Sequence, residues 1–452
     1  MNKTAAFLSL GCKVNSYETE AIRGMFEAAG YHIVDFKDIA DVYVVNTCTV
    51  TNIADRKSRQ MLHQAKKRNP DAIIAAVGCY VQADEENLSK DSSVDLIVGN
   101  NKKSEILQLV EGLRIKRDRI KDEELDINDS MVVDIGAENE YEDLEVMSTM
   151  EKIRAFIKIQ DGCNRFCSYC IIPYVRGRVR SRDVVDILKE ITKLAENGYK
   201  EFVLTGIHLS SFGIERLNKA DELYELMPLA SLLKSISKIP GVSRIRLGSL
   251  EPRIITEDFV KEIAGIEQFC PHFHLSLQSG SNTVLKRMNR KYSAGEYEEK
   301  VQLIRRYFAN PAFTTDIIVG FPGETQEEFE ETLDFVKKIG FSQIHVFKYS
   351  KRAGTKAATM PNQISKEVMQ ERSNILIDLA EEMSRDYKEL FLGRIEKVLV
   401  EEEVVIDGVE YQLGHNERYL KLAIPTNENL VNQIIPVEVE KVLTKDILLC
   451  KK

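Results

Sequence analysis

Three cysteines lie close together in the middle of the chain, and their spacing limits which kind of metal group this part of the chain can bind. They are Cys163, Cys167 and Cys170, arranged as Cys-x3-Cys-x2-Cys. Thiolates are soft ligands that suit iron–sulfur clusters and zinc. A structural zinc site takes four protein ligands, whereas three thiolates on a cubane iron–sulfur cluster leave one iron open to bind another molecule. The spacing therefore favours a reactive cluster over a structural zinc site or three unrelated buried cysteines.

The N-terminal part of the chain, 1–113, alternates short apolar runs with helical patterns, which predicts a small doubly wound α/β domain. The predicted strands cover 5–9, 42–45, 73–77 and 96–98, and the predicted helices cover 16–29, 54–68 and 103–113.

A second set of cysteines follows the strands of this domain. Cys12, Cys48 and Cys79 come directly after the first three predicted strands. Because the carboxyl ends of parallel strands share one edge of an open sheet, we expect these thiols to converge. Gly11 and Gly78 beside them allow a bulky ligand to approach the backbone. Three singly buried cysteines are the alternative.

Two changes of composition divide the rest of the chain. Residues 114–148 are strongly acidic, which predicts a solvated linker with at most one strand, at 131–135; a functional acidic segment is the alternative. Residues 386–452 carry short strand patterns separated by turns and predict a small β-barrel.

The central part, 149–385, returns to alternating strands and helices. Six strands are predicted, two fewer than in a closed eight-stranded barrel, so we expect an open, partial barrel with a wide mouth at the carboxyl ends of its strands. The cysteine stretch follows the first strand, at that mouth. The predicted strands are 154–160, 201–205, 244–247, 274–277, 313–319 and 343–347, and the helices are 183–196, 226–237, 256–264, 296–308 and 325–339, with a polar helix at 366–391.

Charge and cysteine usage limit the class of protein. A net charge of −9 argues against a general polyanion binder, so any nucleic-acid site must be a local basic patch. Eight cysteines without disulfide-like spacing fit a reducing compartment. The run 5–12 could suggest a lipoprotein signal, but it is short and reads better as a strand. No apolar run approaches the ~20 residues of a membrane helix. We predict a soluble, cytoplasmic protein without a membrane segment.

The cysteine stretch, with an aromatic residue directly before its last cysteine, resembles the radical S-adenosylmethionine (SAM) superfamily. The resemblance implies that SAM binds at the open iron. Polar or glycine-rich ends of the predicted strands would then form the SAM pocket, although each taken alone is an ordinary strand end. The candidate cofactor-binding residues are Tyr169, Thr205, Gly206, Ser249, Glu251, Gln278 and Gly320.

Several arginines follow the cluster loop and the fourth predicted strand. On an extended segment, alternating arginines would point the same way and form a local basic patch that contacts RNA phosphates. A solvated rim with salt bridges is the alternative. The candidate RNA-binding residues are Arg176, Arg178, Arg180, Arg182, Arg287 and Arg290. His208, His272 and His274 could make polar contacts, but a structural role is favoured for each.

Longer motifs resemble the radical-SAM methylthiotransferases over almost the whole chain. Segments 49–55 and 204–209 are most similar to the branch that acts on N6-threonylcarbamoyladenosine beside the tRNA anticodon, and the last sixty or so residues resemble the TRAM domain, an RNA-binding β-barrel. The motifs are 10–18, 45–51 and 77–80 in the N-terminal domain, and 163–182, 249–252, 274–281 and 320–325 in the radical domain.

This resemblance implies two 4Fe–4S clusters and SAM as cofactors. Cys163, Cys167 and Cys170 would hold the radical cluster, and the ligands of the auxiliary, sulfur-supplying cluster would be Cys12, Cys48 and Cys79. No further catalytic residue is expected. The loop 161–182 should lie between the two domains and face the RNA.

The implied reaction is methylthiolation at C2 of N6-threonylcarbamoyladenosine at position 37 of tRNA. The implied partners are the tRNA anticodon stem-loop and an electron donor of the flavodoxin or ferredoxin type, with the chain acting as a monomer. The alternatives are methylthiolation of isopentenyladenosine or of a ribosomal-protein aspartate, and a non-catalytic iron–sulfur RNA-binding protein.

Overall fold

The computed structural model describes residues 3–119, 129–146, 153–217 and 227–452. Its N-terminal part is a parallel sheet in the order β2-β1-β3-β4-β5-β6. The strands are β1 Thr4–Ser9, β2 His32–Val34, β3 Val42–Thr47, β4 Ile73–Gly78, β5 Leu96–Val98 and β6 Asp129–Met131. The helices are α1 Lys13–Ala28, α2 Asn52–Arg68, α3 Cys79–Ala83, α4 Glu85–Leu88 and α5 Ile106–Arg119.

The sheet is buried because helices cover both of its faces. Every residue of β3 and β4 is buried, as expected for central parallel strands. Tyr43 and Val45 pack towards α2, whereas Val42 and Val44 pack towards α1 and α5. The sequence did not predict β2, a three-residue edge strand, and the strand predicted at 131–135 is instead β6.

Residues 132–146 pack against the folded chain, so the prediction of a solvated linker is wrong for this segment. Leu144 is buried beside Tyr17 of α1, and the Tyr141 hydroxyl donates a hydrogen bond to the Lys158 carbonyl at 2.9 Å. A few apolar side chains anchor a segment that is acidic on average. The rest of the predicted linker is the end of α5, the strand β6, and the segments 120–128 and 147–148, which lie outside the described residues.

The central part is an open barrel of six parallel strands. Strands β7, β9 and β10 pair side by side, as do β11, β12 and β13, and a parallel bridge between Leu250 and Leu275 joins the two groups. The short β8, Arg180–Ser181, pairs antiparallel with the end of β7. The six strands are β7 Arg154–Asp161, β9 Glu201–Gly206, β10 Arg244–Leu247, β11 His272–His274, β12 Ala312–Val319 and β13 Gln343–Lys348.

The helices of this part cover the outside of the barrel. Their starts follow the expected chemistry: Ser293 and Thr325 each form a capping box with the glutamate three residues later. The predicted fold class is confirmed, although β11 begins and ends earlier than the predicted 274–277. The helices are α6 Ile172–Val175, α7 Val184–Glu196, α8 Pro228–Ile236, α9 Glu257–Ala264, α10 Asn282–Arg287, α11 Ala294–Tyr307 and α12 Gln326–Ile339.

The N-terminal domain lies against both edges of the open barrel. On the β7 side, the Lys158 ammonium pairs with Glu18 of α1 at 2.7 Å. On the β13 side, Arg352 pairs with Asp55 of α2 at 2.5 Å, and Asn52 hydrogen-bonds to the loop after β13. The domain therefore closes the gap between the first and last barrel strands.

A long helix, α13 Lys366–Glu389, leads to a closed five-stranded barrel in the order β14-β15-β16-β18-β17. The first strand of this barrel is long and contains a bulge between Val400 and Glu402. This terminal barrel lies at the amino ends of the central strands, where Arg244 donates hydrogen bonds to the carbonyls of Lys397 and His415. The strands are β14 Ile395–Ile406, β15 Val409–His415, β16 Lys421–Ile424, β17 Ile434–Val442 and β18 Ile447–Lys451.

Within the described parts of the chain, no helix is both long and apolar enough to cross a membrane.

Candidate functional site

The thiols of the N-terminal domain meet where the strand order of the sheet reverses. Cys12 caps α1 after β1, Cys48 follows β3, and Cys79 begins α3 after β4. The reversal between β1 and β3 opens a crevice at the carboxyl edge of such sheets. Gly11 has φ +97°, and a Cβ there would lie 2.6 Å from the Cys48 sulfur. Glycine at this position therefore lets the first two cysteine segments come together.

Burial disfavours the ionised form of Cys48 and Cys12. It is the main cause that raises the pKa of Cys48 to about 11, and the neighbouring Cys79 and Cys12 contribute to that rise. The pKa of Cys12 is also raised, first by burial and then by Cys79. Since iron binds thiolates, loading a cluster here must release protons. The three thiols act on one another electrostatically, which places them in one group.

The second group of thiols lies in the loop between β7 and α6, at the mouth of the partial barrel. Burial raises the pKa of Cys163 to about 11 and that of Cys170 to about 12, with Cys167 adding to both. The Arg165 backbone N–H donates to the Cys163 sulfur at 3.5 Å. This loop therefore holds its three thiols as a compact set.

The predicted exposed basic patch is wrong for three of its arginines. Arg176, Arg180 and Arg182 are 0%, 2% and 2% exposed, so they cannot contact a phosphate on the surface. Arg182 pairs with Glu190 of α7. Arg178 is exposed and lies over the Phe166 ring, with its guanidinium carbon 4.7 Å from the ring centroid.

Two of the arginines contact the candidate cluster ligands instead. Arg176 Nε donates to the Cys79 sulfur at 3.2 Å, and Arg290 Nη1 donates to the Cys167 sulfur at 3.2 Å. A guanidinium next to a thiol favours the thiolate. Each group of cysteines thus has its own arginine. Arg287 is engaged differently, in an ion pair with Glu328 at 2.6 Å.

A buried network of charges joins the N-terminal domain to the loop that carries the second group of cysteines. Glu18 of α1 accepts from Lys103, Lys158 and Arg176, and Arg176 Nη1 also pairs with Asp161 at 3.0 Å. All five side chains are at most 7% exposed. The loop 161–182 therefore lies between the N-terminal domain and the barrel, as the sequence predicted. The sequence did not predict the network.

The candidate SAM-pocket residues lie along one edge, because the strands that carry them run parallel. Glu251 is the most distinctive. Its Oε2 accepts from His208 at 2.8 Å and pairs with Arg165 at 2.6 Å, while its Oε1 is buried without a protein partner. Burial raises its pKa, but the His208 hydrogen bond and the Arg165 charge outweigh burial and leave the pKa lowered. A buried, ionised oxygen facing no donor suits a ligand amine or hydroxyl.

The other candidate residues of the SAM pocket differ in their burial and in the side chains that they contact. Thr205 and Gln278 are buried at the barrel rim, and Ser249 is exposed there. Gly206 packs on Gln160, whose Oε1 would lie 2.9 Å from an added Cβ.

Tyr169 and Gly320 are brought together, but by protein packing. The Tyr169 ring lies edge-on to Phe321, with centroids 6.4 Å apart. Gly320 has φ +71°, and a Cβ there would lie 2.1 Å from Met369 of α13. The positive φ and the contact with Met369 are therefore sufficient to require glycine at 320, and its role as a cofactor-binding residue stays a prediction.

The two cysteine groups fit iron–sulfur clusters by their chemistry. Each offers three sulfur donors and a guanidinium at one of them, and the first group surrounds a crevice. Among the described residues, the remaining thiols lie elsewhere: Cys270 and Cys450 are both fully buried, in the central and terminal barrels. Each cluster would therefore have three protein thiolates and one iron open to another ligand.

Sequence reasoning missed Glu18, Lys158 and Arg165. The sequence did contain a sign of Glu18 and Lys158, because each is a charged residue at a position where the pattern of neighbouring residues predicts burial. Arg165 lies inside the cysteine stretch itself. His208, read as structural, in fact contacts Glu251 and Ser211 at the rim.

Two family models match the chain. Residues 157–336 match the model described as the radical SAM superfamily, and residues 4–99 match the model described as uncharacterized protein family UPF0004. The first match covers most of the partial barrel with its cysteine loop. The second covers Cys12, Cys48 and Cys79.

Curated relatives match almost the full length. A threonylcarbamoyladenosine tRNA methylthiotransferase of Bacillus subtilis is 40% identical over 97% of this chain and 94% of its own. The enzyme of the same name from Aquifex aeolicus is 42% identical over 88% and 93%. A tRNA-2-methylthio-N(6)-dimethylallyladenosine synthase of Alkaliphilus oremlandii is 36% identical over 97% and 90%.

Among solved structures, the radical SAM methyltransferase TsrM of Kitasatospora setae aligns with a TM-score of 0.54 at 13% identity. The alignment covers 79% of this chain and 74% of that one. At this identity the likeness supports the fold alone.

Proposed function

This chain belongs to the radical-SAM tRNA methylthiotransferases, and from that premise we propose that it converts N6-threonylcarbamoyladenosine in tRNA to its 2-methylthio derivative. Two relatives named for that branch match at 40% and 42% identity, whereas dimethylallyladenosine synthases match at up to 38%. The observation that carries the proposal is the pair of cysteine triads, held in two domains by one buried charge network.

The cofactors are SAM and two 4Fe–4S clusters, which when bound supply a 5′-deoxyadenosyl radical and the sulfur for transfer. We assign Cys163, Cys167 and Cys170 to the radical cluster and Cys12, Cys48 and Cys79 to the auxiliary cluster. An aromatic C–H is not acidic enough for a protein base, so the chain supplies no general base and acts by positioning.

The residues of the chain position and shield the reactants. Arg176 and Arg290 donate hydrogen bonds to the sulfurs of Cys79 and Cys167 and hold them in place. Glu251 presents its unpaired oxygen at the rim, where it can accept from the SAM amine or ribose, and His208 and Arg165 hold it in that orientation. The N-terminal domain closes the side of the barrel and excludes water from that direction.

We propose that the anticodon stem-loop binds at the mouth, beside the cluster loop. Arg178 lies exposed over Phe166, and Tyr174 packs edge-on to the same ring at 5.7 Å. A cation next to exposed aromatic rings can contact phosphates and stack with unpaired bases. The terminal barrel lies at the opposite, amino end of the strands and would contact a more distant part of the tRNA.

Nucleoside analysis of tRNA tests the substrate. In a host lacking its own enzyme of this branch, expression of the chain should produce the 2-methylthio derivative of threonylcarbamoyladenosine, measured by mass spectrometry. A Cys163→Ser variant should produce none, because the radical cluster cannot assemble. Accumulation of 2-methylthio-isopentenyladenosine instead would assign the other tRNA substrate, and no 2-methylthio nucleoside would contradict the tRNA reaction.

We propose that the electron donor docks at an opening that reaches Cys167 and Cys170. Lys286 and Lys356 are exposed at its edge, and Phe166 lines it. Small electron carriers of the flavodoxin or ferredoxin type are acidic, so the two lysines would steer their approach. The chain is proposed to act as a monomer in the cytoplasm, where tRNA and such donors occur together.

Charge reversal at this opening should slow reduction by the protein donor alone. The double variant Lys286→Glu, Lys356→Glu should lower the rate of SAM cleavage with flavodoxin by about tenfold at low ionic strength. The rate with dithionite should not change, because a small reductant needs no docking surface. Lys37→Glu, an exposed lysine of the N-terminal domain, is the matched control. An unchanged rate with flavodoxin would place the donor elsewhere, and equal slowing with both reductants would also contradict a docking role, because it would mean that the substitutions act on the cluster itself.

A further inference from the structure

The interior of the partial barrel, here called the lumen, is lined by charged and aromatic side chains. Alternation along β7 turns Ala155 and Ile157 outward into the helix-facing core, so the residues between them point inward. The same holds for the other strands, whose inward positions make polar contacts with one another. The inward residues used below are Arg154, Phe156, Glu201, Arg246, His274, Asp316 and His345. Closed barrels are instead filled by apolar layers.

Lys13 of α1 reaches into the lumen from the N-terminal domain. Its ammonium lies 5.4 Å from the centroid of the Phe156 ring, and its charge acts on His345 of β13, on the other side of the gap. The residue is exposed, so its ammonium is accessible to a ligand.

The Lys13 ammonium has no anionic partner among the described residues. No carboxylate there lies within ion-pairing distance of it, and the strongest charges acting on it are those of Arg246 and Arg154, both of the same sign. Glu201 acts less strongly and is already paired with those two arginines. An enclosed, uncompensated cation favours an anionic ligand.

A neighbouring cluster raises the alternative of a metal. The ligand atoms of His274, Asp316 and His345 lie within 4.8 Å of one another, and two imidazoles with a carboxylate can bind a divalent metal. The charges acting on His345 are those of Asp316, His274 and Lys13, in that order. The Asp316 carboxylate pairs with His274 at 3.3 Å, and the Lys13 ammonium disfavours a second cation beside His345. An imidazole N–H can donate to an anion just as well.

The chemistry of the substrate places an anion at this position. The threonyl group on N6 ends in a carboxylate, and N6 and C2 lie on the same edge of adenine, separated by N1. The donor of sulfur to C2 must therefore lie on the side from which the N6 substituent projects. Lys13 directly follows Cys12, which we assign to the auxiliary cluster.

We infer that Lys13 and His345 form a carboxylate-binding subsite in the lumen, which receives the threonyl carboxylate and selects this nucleoside over one with an apolar N6 substituent. The inference rests on the proposed function. A charge-assisted hydrogen bond in an enclosed site makes a difference of roughly 10- to 100-fold in affinity. An apolar isopentenyl group would leave the ammonium without a partner and would gain nothing from it.

Binding to two stem-loops that differ only in charge tests this subsite. Anaerobically reconstituted holoenzyme is titrated with anticodon stem-loops carrying threonylcarbamoyladenosine or its neutral methyl ester, and the two Kd values are compared. The unaltered chain should prefer the carboxylate roughly 10- to 100-fold. Lys13→Gln should bring the preference close to one, Lys13→Arg should keep most of it, and Lys37→Gln should not change it.

The substitution Lys13→Gln could impair the auxiliary cluster, because Lys13 follows Cys12. The iron content of each variant is therefore measured, and His345→Gln provides a second test. His345→Gln lies on a barrel strand away from the cysteines and should reduce the preference several-fold. If Lys13→Gln has normal iron and keeps the full preference for the carboxylate, the subsite is wrong. If Lys13→Gln loses iron, His345→Gln decides instead, and a full preference in that variant overturns the subsite. The absence of any preference in the unaltered chain overturns it as well. Failure of the proposed function appears separately, as no methylthiolation of the threonylcarbamoyladenosine stem-loop by the unaltered enzyme.

Discussion

Replacing Cys12, Cys48 and Cys79 together by alanine should remove half of the protein-bound iron and abolish methylthiolation, while SAM cleavage continues. The reason is that the two cysteine groups lie on different domains, and each has its own set of thiols. Cys163, Cys167 and Cys170 are untouched in this variant. Iron analysis, the yield of 5′-deoxyadenosine and mass spectrometry of the tRNA nucleosides measure the three outcomes on one anaerobic preparation.

The matched control for this experiment is Cys450→Ala. That thiol is fully buried in the terminal barrel, far from both groups in the fold, so its loss should leave the iron content and the product yield unchanged. Retention of all the iron in the triple variant would contradict an auxiliary cluster at this position. Normal methylthiolation in the triple variant would contradict its role as the source of sulfur.

Replacing Glu18 by glutamine should destabilise the chain by about 3–5 kcal/mol, a large part of the 5–15 kcal/mol that holds a typical domain together. Glu18 neutralises Lys103, Lys158 and Arg176 in a buried position. The neutral amide would leave these cations short of negative charge away from water. Urea unfolding of the holoenzyme measures the loss. Glu86→Gln, which breaks an exposed pair with Lys90, should cost less than about 1 kcal/mol.

The same residue gives the stability a dependence on pH. Burial alone would raise the pKa of Glu18, but Arg176, Lys103 and Lys158 outweigh burial and hold the pKa well below its ordinary value. A lowered pKa contributes stability above the ordinary pKa of a glutamate, and this stability is lost as the pH falls towards the lowered value. The unaltered chain should therefore lose stability in acid more steeply than Glu18→Gln. Parallel pH profiles of the two proteins would contradict the network as a source of stability.

Sequence reasoning reached the convergence of the cysteines because that convergence depends on topology alone. Cys12, Cys48 and Cys79 each follow a parallel strand, and the ends of such strands share an edge whatever their exact register. The position of the cluster loop 161–182 between the domains was predicted differently, from the family resemblance, which requires the two cysteine groups to face one another.

The arginines show where local pattern reasoning fails. Arg176 was expected at the surface because only its spacing from the neighbouring arginines was considered, and not the residue with which it pairs. That partner, Glu18, is 158 positions away in sequence, and a pairing over such a distance leaves no local signal. Arg290 belongs to the same class, since its contact with Cys167 spans 123 positions. Buried polar contacts between domains are set by the final packing, which short-range spacing does not encode.

The first strand of an open barrel has an edge that no neighbouring barrel strand covers. The side of β7 that faces away from β9 is paired with β8 only at its last two residues, Gln160 and Asp161. An unpaired strand edge can template association with other chains. Here α1 packs against β7, and Tyr141 donates a hydrogen bond to the Lys158 carbonyl. The N-terminal domain and the segment that follows it therefore cover this edge, apart from their proposed part in holding the auxiliary cluster, and a barrel produced without them is expected to aggregate.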